Sequence, residues 1–222
     1  MNRTRQRMRF SGVGLIGLLV WAGAAMAADA PPAAAPAPAP TAGGPPPLPP
    51  MPPLPMASAD MLAGQCTGCH GTNGVSLGPA TPSIAGINKE YFLETMAALK
   101  SGKRHSTVMG RIAKGYTDDE IKAMAGYFSA KKWATRPNTT DPAKVAAGKS
   151  LHKKNCEKCH EQNGRESEDG GILAGQWLPY LQFQMEDYTS GLTKMPEKMD
   201  KKVKGLKPAD IDALMNFYAS QK

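Results

Sequence analysis

The chain has 222 residues, a length that fits one large domain or two small ones at about 150 residues per domain. Thirteen of its 20 prolines lie between residues 31 and 55, which excludes that stretch from a packed core and leaves residues 57–222 for globular structure. The formal net charge of +8 falls to +4 without the four arginines at positions 3, 5, 7 and 9, and this weak bias excludes the strong positive field of a nucleic-acid-binding protein.

Residues 1–27 are predicted to form a secretory signal peptide. A basic start is followed by an apolar run of about 15 residues and by Ala25-Met26-Ala27, a pattern typical of signal peptidase sites. The run is shorter than the roughly 20 residues that cross a bilayer as a helix. We therefore expect cleavage, with an uncleaved anchor as the alternative, and a periplasmic mature chain without a membrane span.

Residues 28–57 consist mainly of proline and alanine. This composition favours extended polyproline II backbone and lacks both the amide donors and the bulk that folding requires. We interpret the segment as a disordered tether that acts as a spacer, with a peptide ligand for a partner as the alternative.

Helix signals occur in the region that follows the tether. Asn88 is predicted to cap a helix over residues 89–100 that ends at Gly102. Thr117 opens a capping box with the glutamate three residues later, which predicts a second helix through Lys131.

Similar signals recur further along the chain. Asp141 before Pro142 is typical of a helix start, and the helix it opens leads into Cys156. Pro208 begins the last predicted helix. Alternation of apolar and polar residues, which would indicate strands, is absent, so we predict an all-α fold.

An internal repeat organises this helical region. Displacing the sequence by 90 residues aligns two Cys-x-x-Cys-His motifs and places Met109 on Met199, and a displacement of 89 places Tyr91 on Tyr180. Two tandem copies explain this register, and we predict domains at 58–134 and 135–222. Because each copy has only about three helices and buries little apolar surface, something else must complete its core.

The repeated motif predicts that this missing component is haem c. All four cysteines and two of the four histidines lie in the motifs Cys66, Cys69, His70 and Cys156, Cys159, His160. Residues three apart lie side by side on a helical turn, so both thiols can join one porphyrin while the next residue directs its imidazole at the iron. We therefore expect two covalently bound haems c, with the cysteines as thioether sites.

A Cys-x-x-Cys pair has three other common uses in proteins. Zinc sites usually separate their two pairs by about 15 to 20 residues, whereas 86 residues lie between Cys69 and Cys156. Disulfides and a thioredoxin-like redox motif suit an exported protein but need no histidine after both pairs.

The second axial ligands are predicted to be methionines. Histidine and methionine are the usual pair in electron-carrying c cytochromes. Met109 and Met199 occupy equivalent positions ahead of the last helix in each copy, with Met195 as the competitor in the second copy. His105 is an alternative to Met109, although its repeat partner is Lys194, which favours an exposed basic loop.

Several neighbouring residues receive structural interpretations. Met96 and Met185 are predicted to pack between helices. His152 is predicted to lie at the surface, because two lysines follow it directly in the sequence. Pro82 is the candidate whose carbonyl accepts a hydrogen bond from the proximal imidazole and fixes its orientation. The aligned position in the second copy is Gly171.

The motifs together resemble a known family over residues 58–222. The segments VMGRIAKGY and ILAGQWLPYLQ, together with CTGCHGTNG and CEKCHE, resemble segments of the diheme cytochrome subunits of flavocytochrome c sulfide dehydrogenases. The resemblance implies two class I cytochrome c domains, with His70 and His160 as proximal ligands and Met109 and Met199 as distal ones. It also implies a separate FAD-containing subunit that oxidises sulfide and a soluble electron acceptor.

We therefore expect an electron-transfer subunit that is not catalytic by itself. One rival is a free-standing diheme shuttle to a terminal oxidase. The other is a diheme peroxidase or similar enzyme, which would need an open axial position on one iron. The proline-rich tether departs from the family's compact form.

Overall fold

The computed structural model describes residues 55–167 and 170–222. The predicted signal peptide lies outside the described residues, as does the predicted tether except for residues 55–57. The described ranges contain ten α-helices and one 3₁₀ turn, at Thr72–Gly74. The helices are α1 (Ala59–Gly64), α2 (Thr67–His70), α3 (Lys89–Ser101), α4 (Met109–Ala113), α5 (Asp118–Ser129), α6 (Pro142–Asn155), α7 (Glu161–Gly164), α8 (Leu178–Thr189), α9 (Glu197–Val203) and α10 (Pro208–Ser220).

The all-α prediction is confirmed for this part of the chain. Its only β-type pairing is an isolated bridge between Glu161 and Glu166. The same described residues contain no helix with the length and apolar character needed to cross a membrane.

The predicted helix starts are confirmed by their caps. The Asn88 side chain accepts a hydrogen bond from the Tyr91 amide at 2.9 Å, and Thr117 and Glu120 form the reciprocal capping box. Asp141 accepts from the first two amides of α6, which begins with Pro142. These caps join residues two or three positions apart in sequence, so local chemistry is sufficient to specify them.

One helix end differs from its prediction. Helix α5 stops at Ser129, two residues before the expected Lys131. There the Lys131 amide bonds the Phe128 carbonyl across three residues, a tighter turn that ends the α-helical ladder.

The backbone repeats along with the sequence. Gly74 and Gly164 have φ angles of 80° and 87°, and Gly86 and Gly175 have 65° and 68°. In both copies the first of these glycines accepts hydrogen bonds from two loop amides, at 2.7 and 3.1 Å in the first and 2.8 and 3.0 Å in the second. Each copy has three principal helices, as predicted, and shorter helical segments between them. We call residues 58–134 the first module and residues 135–222 the second module.

Each module packs its first principal helix against its last. Helix α1 contacts α5 in the first module, and α6 contacts α10 in the second. Gly148 of α6 lies so close to the backbone of Ala213 in α10 that a Cβ at this position would overlap the Ala213 carbonyl. The two crossings build separate apolar clusters, around Leu62 and Phe128 in one module and Phe217 and Tyr218 in the other.

Hydrogen bonds connect the two modules directly. Gln176 is 3% exposed, and its amide group bonds both the amide and the carbonyl of Ser83 at 3.0 Å each. The indole nitrogen of Trp133 donates to the Ala174 carbonyl at 3.0 Å. The non-helical connection between the modules is held by Arg136, whose amide donates to the Gly175 carbonyl at 2.7 Å.

Candidate functional site

The first Cys-x-x-Cys-His motif forms a single helical turn. Cys66 is the N-cap of α2, and the His70 amide bonds the Cys66 carbonyl at 2.8 Å. Cys66 is half-buried, Cys69 is exposed, and His70 is buried with 8% of its surface exposed. The imidazole of the motif therefore lies inside the module, while Cys69 stays at its surface.

The His70 ring is held by the predicted acceptor. Its Nδ1 lies 2.8 Å from the Pro82 carbonyl oxygen, which confirms the interpretation of Pro82. Burial lowers the pKa of His70, and the bond to Pro82 opposes that shift in part. A neutral imidazole with Nδ1–H engaged leaves the Nε2 lone pair free for a metal ion.

The second motif has the same local bond but a different surrounding. The His160 amide bonds the Cys156 carbonyl at 2.9 Å, and residues 156–159 form turns where the first motif has a short helix. His160 Nδ1 is buried and has no hydrogen-bond partner among the described residues. The aligned Gly171 therefore does not take the role that Pro82 has in the first module.

The four thiols are free. None of Cys66, Cys69, Cys156 and Cys159 is in a disulfide. Burial raises the pKa of the Cys66 and Cys156 thiols. Within the described ranges, no group of three or more histidine, cysteine or acidic side chains is arranged to hold a metal ion.

The predicted methionines lie at equivalent places in the two modules. Met109 is the first residue of α4 and Met199 lies within α9, and the ends of these helices, Ala113 and Val203, are 90 residues apart. Both methionines are half-buried. Met195 is buried at 8% exposure in the second module, so it stays a competitor of Met199.

The thiol and thioether groups border one apolar cluster in each module. Cys66 and Met109 both pack against the first cluster, and Cys156 and Met199 both pack against the second. Two thiols, an imidazole on the next residue and a thioether beside the same core are a donor set that fits haem c. The residues present are therefore compatible with the cofactor that the motif predicts.

Predictions for the nearby residues had mixed outcomes. Met96 and Met185 are buried on α3 and α8, which confirms their packing role, and His105 is exposed as expected. The surface prediction for His152 is wrong, because this residue is 1% exposed inside α6. Its lysine neighbours in sequence point elsewhere, since successive residues of a helix are rotated by about 100°.

One polar cluster at the junction of the modules was missed by the sequence analysis. Arg104 donates to the Tyr91 hydroxyl at 3.2 Å and to the Thr95 hydroxyl at 3.1 Å, and it also contacts Gln184 of the second module. Burial alone would lower the pKa of Arg104, but the surrounding tyrosines raise it. The alignment of Tyr91 with Tyr180 was the available signal, although it does not specify contact across the junction.

Comparisons with known proteins connect this geometry to c-type cytochromes. Residues 143–217 match the family model described as cytochrome c oxidase, cbb3-type, subunit III. Cytochrome c4 of Pseudomonas aeruginosa is 31% identical over 153 residues, which cover 62% of this chain and 75% of that protein. The cytochrome subunit of sulfide dehydrogenase of Chlorobaculum tepidum is 49% identical over 69 residues, which cover 31% of this chain and 62% of that protein.

A solved structure shares the fold. Reduced cytochrome c4 from Pseudomonas stutzeri superposes with a TM-score of 0.66 at 24% identity, covering 75% of this chain and all of that one. This likeness confirms the predicted architecture of two tandem class I cytochrome c domains.

Proposed function

Because the chain belongs to the cytochrome c4-like family of diheme c-type cytochromes, whose members transfer electrons through covalently bound haem c, we propose that it carries two haems and relays electrons between them. Cys66 and Cys69 attach the first haem, and Cys156 and Cys159 attach the second. The observation that carries this proposal is repeated in both modules: the first cysteine of the motif and a methionine pack against one apolar cluster, and the motif's histidine follows four residues after that cysteine.

The protein's own groups have distinct roles in this proposal. His70 and His160 are the proximal ligands, and Met109 and Met199 are the distal ones. When bound, the haem iron supplies one-electron oxidation and reduction. Pro82 holds the His70 ring by the bond from Nδ1, and the surrounding clusters exclude water, so little reorganisation accompanies a change of charge.

The domain limits and the location of the chain belong to the same proposal. Each module, 58–134 and 135–222, is one haem-binding domain. Residues 1–27 act as the export signal, and the protein works in the periplasm, where covalent attachment prevents loss of haem.

The partner we favour is an FAD-containing subunit that oxidises sulfide. The support is the 49% identity to a sulfide dehydrogenase cytochrome subunit over 69 residues. In this assembly the chain takes electrons from the flavin, passes them to a soluble acceptor, and is not catalytic by itself.

A free-standing electron shuttle to a terminal oxidase is the second candidate. Two observations favour it: the likeness to cytochrome c4 covers twice as much of the chain, 62% against 31%, and residues 143–217 match a cytochrome oxidase subunit family. The two candidates differ in whether a flavoprotein binds this chain.

Isolation of the native complex separates the candidates. We expect two haems per chain and one FAD-bearing polypeptide that copurifies with them, measured by mass spectrometry together with haem and flavin quantification. Two haems without a flavoprotein would favour the shuttle, whereas a mass without both haem additions would refute the diheme proposal itself.

Substitution of the methionines tests the distal ligands. Met109→Ala and Met199→Ala should each remove about half of the sulfur-to-iron charge-transfer band of the ferric protein, because each iron loses its thioether ligand. Met195→Ala is the matched control and should leave the band intact. A loss with Met195→Ala instead would reassign the second ligand, and a high-spin signal in the unaltered protein would favour a catalytic cytochrome with an open iron.

A further inference from the structure

The two modules differ at one pair of buried core positions. Leu62 and Phe128 pack together in the first module, at 2% and 1% exposure. The residues 90 positions later are His152 and Tyr218, at 1% and 2% exposure. An apolar pair in one module is therefore a polar pair in the other, with equal burial.

The polar pair is joined by a hydrogen bond. His152 Nδ1 lies 3.0 Å from the Tyr218 hydroxyl oxygen, and the two rings are nearly perpendicular with centroids 5.5 Å apart. Phe217 covers another side of the imidazole, at 5.1 Å between centroids. His152 Nε2 is buried and has no hydrogen-bond partner among the described residues.

Stability alone does not account for this pair. A buried polar atom without a partner destabilises the fold, whereas a leucine fills the equivalent space in the first module without that cost. The apolar contact between Leu62 and Phe128 needs no hydrogen bond, whereas burial of His152 and Tyr218 is stable only while their hydrogen bond is kept. A role in the chemistry of the second module is the remaining explanation.

Tyr218 connects the pair to the second haem site. Cys156 packs against the apolar cluster that contains Tyr218, and the Tyr218 ring centroid is 6.2 Å from that of His160. The attachment cysteine and the proximal histidine of the second module thus both border Tyr218. Phe128, at the same place in the first module, has no polar atom to present.

We infer, on the basis of the proposed diheme function, that the His152–Tyr218 pair lowers the reduction potential of the second haem relative to that of an apolar pair. Oxidation adds one positive charge to the iron. A buried hydroxyl and imidazole place oriented dipoles beside that charge, and they stabilise the oxidised state more than leucine and phenylalanine can. His152 and Tyr218 are positioning and tuning residues, because neither is an iron ligand.

The test installs the residues of the first module in the second. The full-length protein with both haems attached is prepared as Tyr218→Phe, His152→Leu and the double variant, and each haem is titrated separately by its NMR methyl signals. We expect the second haem to become easier to reduce, with the oxidised-to-reduced ratio at a fixed potential changing up to about tenfold, or about 59 mV for one electron. The double variant should shift by less than the sum of the two single variants, because both singles break the same bond.

The first haem is the internal control, and Leu62→Met is the matched apolar substitution beside it. Neither the first haem in the His152 and Tyr218 variants nor the second haem in Leu62→Met should change its potential. The inference is overturned if the second potential stays constant or falls, or if both potentials move together. Failure of the diheme proposal gives a different result, since the unaltered protein would then lack two haems by mass.

Discussion

The imidazoles of His70 and His160 follow the same motif and face different surroundings. His70 Nδ1 is fixed by the Pro82 carbonyl, whereas His160 Nδ1 has no partner in the described part of the chain. A hydrogen bond at Nδ1 makes the other nitrogen a stronger donor to a metal. Together with the His152–Tyr218 pair, this difference makes the two sites chemically unequal despite their shared sequence.

The close approach of helices α6 and α10 depends on a single residue, Gly148. Gly148→Ala should destabilise the protein by about 1 to 3 kcal/mol, because the new methyl group would overlap the Ala213 carbonyl and lie 2.7 Å from the Phe217 Cβ. Urea unfolding followed by circular dichroism measures this effect. Gly126→Ala is the control: a Cβ at Gly126 meets nothing within 4 Å, and alanine favours a helix by about 1 kcal/mol. Equal stability of the two variants would contradict the close crossing.

At the scale of helices, the carboxylate of Asp212 connects the three principal helices of the second module. Asp212 of α10 pairs with Lys144 of α6 at 2.6 Å and accepts from the Gln182 side chain of α8 at 3.1 Å. The bond to Lys144 is the main cause that lowers the pKa of Asp212. The carboxylate thus ties the three principal helices of this module together.

This arrangement predicts a pH dependence of stability. A carboxyl group whose pKa is lower in the folded state stabilises the fold above its unfolded pKa, about 3.9, and this contribution is lost as the pH falls through the folded value. Asp212→Asn should therefore cost about 0.5 to 1 kcal/mol at pH 7, a value limited by solvent exposure, and the difference from the unaltered protein should shrink below pH 4. Denaturant unfolding at pH 7 and pH 3 measures both.

Asp119→Asn is the matched control for this prediction. Asp119 pairs with Lys122 within α5, and both side chains are largely exposed. Its replacement should leave stability unchanged at either pH. A pH-independent loss in Asp212→Asn would show that packing rather than charge is responsible.

Across the whole molecule, the modules are joined by a reciprocal amide pair. Gln176 uses both of its side-chain polar atoms on the Ser83 backbone, in a place that water does not reach. Arg104 adds a charged contact from Tyr91 and Thr95 of α3 to Gln184 of α8. These bonds make the two repeats one compact unit.

Removing the amide pair should uncouple the modules. Gln176→Leu leaves the Ser83 amide and carbonyl without partners, at a cost of about 1 to 3 kcal/mol, and calorimetry should resolve two unfolding transitions where the unaltered protein has one. Gln65→Ala removes only a contact with Tyr116 inside the first module and should keep a single transition. A single, unshifted transition in Gln176→Leu would contradict this role of the junction.

Local sequence determined the features that depend on neighbours along the chain. Helix starts at Asn88, Thr117 and Asp141 follow from caps that bond amides two or three residues away. The repeat, the all-α class and both Cys-x-x-Cys-His turns follow for the same reason, because each is a short pattern with its own geometry. Pro82 could also be predicted as an acceptor from its place in the loop after the first motif, but the same reasoning fails in the second module, where His160 Nδ1 has no partner among the described residues.

Only the tertiary structure decided which distant residues meet. The burial of His152 against Tyr218, the bond between Gln176 and Ser83 and the position of Arg104 at the junction join residues 66 to 93 positions apart, or different modules. Their residue types allow either exposure or burial, because a polar side chain is stable in a core whenever the fold supplies a partner. The partner comes from the packing of whole helices, which no short pattern contains.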